Sequence, residues 1–161
     1  MDTIRSDQTH TGKQVFTNTV SLPKDTVGNS QFSSSDPLEE EKQEHRIHSR
    51  YQQNGTATTE TVVLHWAYAA GATLDVAIGS IAACIGDATV TVDVKKNGTT
   101  ILSSVVTLDN ANAAYTAEMG TVSVSAIASG DVLTAVITAT AGTGTLATGL
   151  YVDLISQEDS A

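Results

Sequence analysis

Between Thr89 and Lys95 the chain alternates without a break: Val90, Val92 and Val94 against Thr89, Thr91, Asp93 and Lys95. A period of two places the three valines on one face of a β-strand and the polar set on the other. Asn97-Gly98 follows. Both central residues of a two-residue hairpin turn need φ > 0, which makes Asn-Gly the strongest short hairpin signal. The chain then returns as TTILSSVVTL.

The same style extends over residues 61–156, where Thr, Val, Ile and Ala dominate. Turn residues recur about every 8–12 positions, the spacing of a sandwich or barrel. Further strands are expected near 61–70, 73–83, 120–127, 131–140 and 147–156. In the last, Val152 and Leu154 share one face, and Tyr151 and Asp153 share the other. No amphipathic helix interrupts these strands, which argues against parallel βαβ architecture. The expected fold class is mainly β: an antiparallel, jelly-roll-like β-sandwich, preceded by an extended N-terminal arm with one short helix.

Residues 1–55 are unlike the rest. They hold six of the eight basic residues and eight of the 18 acidic ones. Their large apolar residues recur singly, with no sustained period of 2 or 3.6. Such a segment cannot bury enough apolar surface to offset about 1–2 kcal/mol per residue of lost backbone entropy. Two readings are open: a disordered tail, or an arm that lies along another protein with its apolar side chains in pockets. The arm is the preferred reading, with Val15, Phe16, Val20, Leu22, Phe32, Leu38, Ile47 and Tyr51 as its anchors. Within it, Asp36 can N-cap a helix that Pro37 begins, and Glu39 completes a capping box. Glutamates lie at the positive end of the dipole, Arg46 and Arg50 toward the negative end, and Asn54-Gly55 is a natural stop. The signals predict a helix over 37–52 with a thin seam of Leu38, Ile47 and Tyr51. The domain division expected is an arm over 1–55 and a sandwich over 56–161.

Composition excludes several classes. The net charge of −10 argues against direct nucleic-acid binding. One Cys rules out a disulfide framework within the chain and a Cys-rich zinc site. No apolar run approaches the roughly 20 residues of a spanning helix, and MDTIRSDQTH does not read as a secretory signal. Only seven of 161 residues are aromatic, so the sandwich core must be built of small side chains. Burial energy scales with apolar area at about 25 cal/mol per Å². Such a core gains from oligomerisation or docking, and a homotrimer is expected.

Candidate chemistry is sparse. His45 and His48 sit at i, i+3 on the expected helix beside Glu41 and Glu44, and read as a solvated face. A metal site would need three or four converging ligands. His10 has no visible partner. His65, beside Trp66, reads as a packed or edge residue. Cys84, in Ile81-Ala82-Ala83-Cys84-Ile85, reads as a small buried hydrophobe. Gly142, Gly144 and Gly149 precede a strand pattern rather than the helix a dinucleotide site requires. Asp109-Asn110-Ala111-Asn112 lacks the Gly and distal Glu of an EF-hand loop and reads as a turn. Asn54-Gly55-Thr56 and Asn97-Gly98-Thr99 also read as turns. No catalytic, cofactor or metal residue is assigned, and no enzyme activity is expected.

Two stretches carry a resemblance: DATVTVDVKKNGTTILSSVVTL, and GTVSVSAIASGDVLTAVITATAGTGTLATGLYVDL. Their Val/Thr strands, Asn-Gly hairpin and Gly/Thr-rich segment are similar to the β-sandwich modules of tailed-phage virion proteins. Those modules serve in capsid decoration (cement) proteins and in head or tail fibres. The resemblance covers residues 61–156 and not the arm. It implies a structural virion protein, made in the host cytoplasm and placed on the outer surface of the capsid. The partner implied is the major capsid protein, with the arm clamping neighbouring capsid subunits and no membrane or direct nucleic-acid contact. The alternative is a receptor- or glycan-binding module of a phage head or tail fibre. Sugar sites stack rings on exposed aromatics, and Trp66, Tyr68, Tyr115 and Tyr151 are the candidates. Two or three of them clustered on an exposed face would favour that alternative; burial or scatter would count against it.

Overall fold

The computed structural model describes residues 45–159. The expected anchors Val15, Phe16, Val20, Leu22, Phe32 and Leu38 lie outside them, as does the first half of the expected helix.

The described residues form ten strands: β1 (His45–Gln52), β2 (Glu60–Trp66), β3 (Gly71–Gly79), β4 (Thr89–Lys96), β5 (Thr99–Thr100), β6 (Val106–Leu108), β7 (Glu118–Gly120), β8 (Ala126–Ile127), β9 (Val132–Thr140) and β10 (Tyr151–Glu158). All pairings are antiparallel and make two sheets. The first has the order β1-β10-β3-β7, with β8 also on β3; the second has the order β2-β9-β4-β5, with β6 also on β4. The fold is therefore mainly β and consistent with an antiparallel β-sandwich. The chain crosses from one sheet to the other between β1 and β2, β2 and β3, β3 and β4, β6 and β7, β8 and β9, and β9 and β10.

The period of two decides what is buried. Val90, Val92 and Val94 of β4 are fully enclosed, as are Leu133, Ala135 and Ile137 of β9. From the other sheet come Val76 and Ile78 of β3 and Val152 and Leu154 of β10. The largest fully buried side chains are Ile, Leu and Val, each contributing about 1.5–3 kcal/mol. The hairpin turn takes its expected form: Asn97 has φ 49° and Gly98 φ 85°. The returning segment is broken into β5 and β6, and Ile101 and Leu102 are buried at the break. Likewise the expected strand at 120–127 is two short pieces, β7 and β8, with Val122 bridging Leu102 between them.

One expectation is overturned. Residues 45–52 are strand β1, not the second half of a helix over 37–52. β1 pairs with β10 along its whole length, from His45 opposite Glu158 to Gln52 opposite Tyr151. Cap residues are local signals worth about 1 kcal/mol, whereas this ladder satisfies the backbone of eight residues and also buries side chains. Ile47, Ser49 and Tyr51 sit at period two on the half-buried face; His48, Arg50 and Gln52 face solvent. Residues 45–52 thus belong to the sheet rather than to the arm. Asn54-Gly55 remains a turn, with Gly55 at φ 87°, but it follows a strand.

Candidate functional site

Two places among the described residues bring polar or exposed aromatic side chains together, and a third holds a single exposed tyrosine. The first is the end of the sandwich where β2 stops. A register shift between Val63 and His65 breaks the alternation of β2, turning His65 inward and Trp66 outward. His65 Nε2 lies 2.5 Å from Glu158 Oε1, and Glu158 is only 4% exposed. Its other oxygen accepts the backbone N–H groups of Tyr68 and Ala69, each at 3.1 Å. Burial alone would raise the Glu158 pKa, but the His65 hydrogen bond and the two N–H donors together hold it below the usual range. The last strand of one sheet thereby fixes the loop that leaves the second strand of the other.

That loop carries an exposed aromatic pair. Trp66 is 56% exposed and Tyr68 is 71% exposed. Their rings meet edge to face, 6.2 Å apart with planes at 77°. Neighbouring loops are also pinned. Ser129 Oγ donates to the Tyr68 carbonyl at 2.8 Å. Asp131 accepts from the Ala128 N–H at 2.8 Å and from Asn97 Nδ2 at 2.7 Å; the Ala128 contact leads in holding its pKa low, with Asn97 next. Asn97 Oδ1 in turn accepts the Val132 N–H at 2.9 Å. On the adjoining outer face of the second sheet, Trp66 stands opposite Val132. Beside it runs a row of Val63, Thr134, Lys95 and Thr100 across four strands. Asp93, bonded by the Thr100 hydroxyl, flanks the row.

The second place is the outer face of the first sheet. Arg50 grips Asp153 with two bonds of 2.6 Å, and His48 Nε2 lies 3.1 Å from the same carboxylate. The guanidinium is the leading cause that holds Asp153 below the ordinary carboxylate range. Arg50 also lies 5.5 Å from the centre of the Tyr151 ring. His48 and Asp153, with Asp75, Ala77, Met119 and Ile155, border a shallow depression of about 350 Å³. Its exposed lining is mostly apolar, with Asp75 and Asp153 at its border.

The third place is the opposite end, where Tyr115 is 77% exposed with φ 61°. Its N–H is held by the Ser80 carbonyl at 2.8 Å. Tyr151 lies over Gly79, whose missing Cβ makes room for the ring. The four aromatics named from sequence therefore divide: Trp66 and Tyr68 cluster and are exposed, Tyr115 stands alone, and Tyr151 is half-buried under Arg50.

The other residues singled out find structural places. Ile47 and Tyr51 lie on the half-buried face of β1, and Tyr51 packs on the core. The Tyr51 hydroxyl donates to Glu60 at 2.6 Å, which raises the phenol pKa and lowers that of the carboxyl. Cys84 is buried, with Sγ donating to the Leu108 carbonyl at 3.6 Å. Asp109 and Asn112 close an Asx turn, through the Ala111 N–H on Asp109 and the Asp109 N–H on Asn112. Gly142, Gly144 and Gly149 lie in the connection from β9 to β10, where Asp87 caps the Thr143 N–H at 2.8 Å. His45 and His48, three apart on a strand, face opposite sides rather than one. Among the described residues no group of three or more His, Cys, Asp or Glu side chains converges as a metal site. The Glu158 clamp and the Asp153 cluster had no signal in the sequence, because each joins residues about 90–105 positions apart. In comparisons with known proteins, the chain matches no family model and no curated protein.

Proposed function

We propose that the chain is a structural virion protein of a tailed phage: a capsid decoration, or cement, protein. Its sandwich is a jelly roll seated on the outer surface of the shell as a homotrimer. The residues that precede β1 form an arm that clamps neighbouring subunits of the major capsid protein.

The observation that carries the reading is the strand order. If β5 with β6 and β7 with β8 are each taken as one interrupted strand, eight positions remain, four per sheet. The orders β1-β10-β3-β7 and β2-β9-β4-β5 then support a jelly-roll reading, an architecture of eight strands used by viral capsid and lectin domains. The polar groups support the same reading. Glu158, Asp131, Asp87 and Asp153 are each engaged by N–H, hydroxyl or guanidinium donors that pin loops and strands. They serve as a scaffold for a rigid body. An arm joined to such a body adds contacts at high effective concentration, so weak individual attachments sum to firm binding.

The test is cosedimentation with shells assembled from the cognate major capsid protein. The full chain should pellet with the shells. A chain lacking residues 1–39 should keep its β circular-dichroism spectrum and stay in the supernatant. A full chain that fails to pellet, or a truncated chain that pellets equally well, contradicts the proposal.

A further inference from the structure

We propose that the Trp66–Tyr68 end of the second sheet is a carbohydrate subsite that takes a pyranose ring. This goes beyond the decoration role and does not depend on it. A pyranose presents an apolar C–H face and a rim of hydroxyls, so its site needs a flat ring beside hydrogen-bonding groups. Both are present here. The Trp66 and Tyr68 rings are exposed and stand edge to face, 6.2 Å apart. On the same outer face, in the row beside Trp66, Thr134 lies on the adjoining strand, with Lys95 and Thr100 one and two strands beyond it and Asp93 flanking them. Thr134 offers a hydroxyl; the Lys95 ammonium, 3.9 Å from Asp93, and the Asp93 carboxylate, which already accepts the Thr100 hydroxyl, each keep further donor or acceptor capacity for a hydroxylated rim.

The support is rigid, which lowers the ordering cost of binding. Tyr68 is held at its N–H by Glu158 and at its carbonyl by Ser129. Trp66 is fixed in the ladder opposite Val132. The surroundings favour a sugar over a protein partner. A stable protein interface covers about 800 Å² per partner around an apolar centre. Here the two rings, Val63, Val132 and Val136 are interleaved with Thr61, Thr134 and Thr138 on the same face, so hydroxyls break up the apolar surface.

Trp66 is the chain's one tryptophan, so its emission reports on this site alone. The full chain would be applied to an array of bacterial and animal pyranose glycans. Fluorescence titration with the soluble oligosaccharide of the strongest binder would follow. Binding to at least one glycan class, with a shift in emission, is the expected result. Trp66→Ala (read on the array) and Tyr68→Ala should each weaken it roughly tenfold. Trp66→Phe should retain part of it, and Tyr115→Ala, at the opposite end, should leave it unchanged. An empty array with a natively folded chain overturns the proposal. So does Trp66→Ala binding within twofold of the parent. An emission shift on adding capsid shells, with no glycan bound, assigns the rings to a protein contact and overturns it as well.

Discussion

Glu158→Ala should be among the most damaging single changes in the sandwich. The carboxylate is 4% exposed and takes the His65 ring nitrogen at 2.5 Å and two loop N–H groups at 3.1 Å. Removing one partner of a buried pair costs about 3–5 kcal/mol. Counting the orphaned donors leads to a similar figure, at about 1–3 kcal/mol each. The two loop N–H groups can reach water once the loop opens, so about 3 kcal/mol is expected. At roughly 4 °C per kcal/mol for a body of this size, the midpoint should fall by about 12 °C. Glu158→Gln keeps an acceptor and loses the charge, and should cost less. Thermal and urea melts followed by circular dichroism and by Trp66 emission measure both. The pH dependence has a definite sign. The folded-state pKa of Glu158 lies below the ordinary value, so its contribution is present above the unfolded pKa and is lost as pH falls through the folded one. The gap between parent and Glu158→Gln should therefore close on the acid side, below about pH 4. A Glu158→Ala midpoint within about 2 °C of the parent, or a gap unchanged from pH 7 to pH 3, would refute this reasoning.

Three further outcomes are expected. Gly71→Ala drives a Cβ into the backbone carbonyl of Gln157 in the paired strand; it should destabilise by about 1–3 kcal/mol, read by urea denaturation. Thr73→Val removes a buried hydroxyl that has no protein partner in the described structure; this nearly isosteric change should stabilise by about 1 kcal/mol, seen as a raised thermal midpoint. Tyr51→Ala should lower the midpoint of the sandwich by roughly 4–8 °C, for a loss of about 1–2 kcal/mol, because Tyr51 packs on the core. An unchanged midpoint would return it to the arm.

Where one face of a strand is buried, its pattern was readable in the sequence. Val90, Val92 and Val94, and Val152 with Leu154, announce β4 and β10 because alternation is a local property. Asn97-Gly98 announces its turn because positive φ is a local demand. β1 was hidden for the opposite reason. Asp36, Pro37 and Glu39 are helix-start signals, while the strand character of HRIHSRYQ comes from β10, about a hundred residues later. The breaks between β5 and β6 and between β7 and β8 coincide with the bridge of Leu102 to Val122, a contact that no local window contains. The aromatic pair was legible as residue types at 66 and 68. Its exposure and mutual geometry required the Glu158 and Ser129 bonds that set the loop.

Cryo-electron microscopy of the assembled particle is the most direct measurement. The expected map holds the two-sheet body on the outer capsid surface, three copies about a symmetry axis, with the chain ahead of His45 running onto neighbouring capsid subunits. Density for the body on the tail, or a capsid surface that lacks it, would contradict the decoration role.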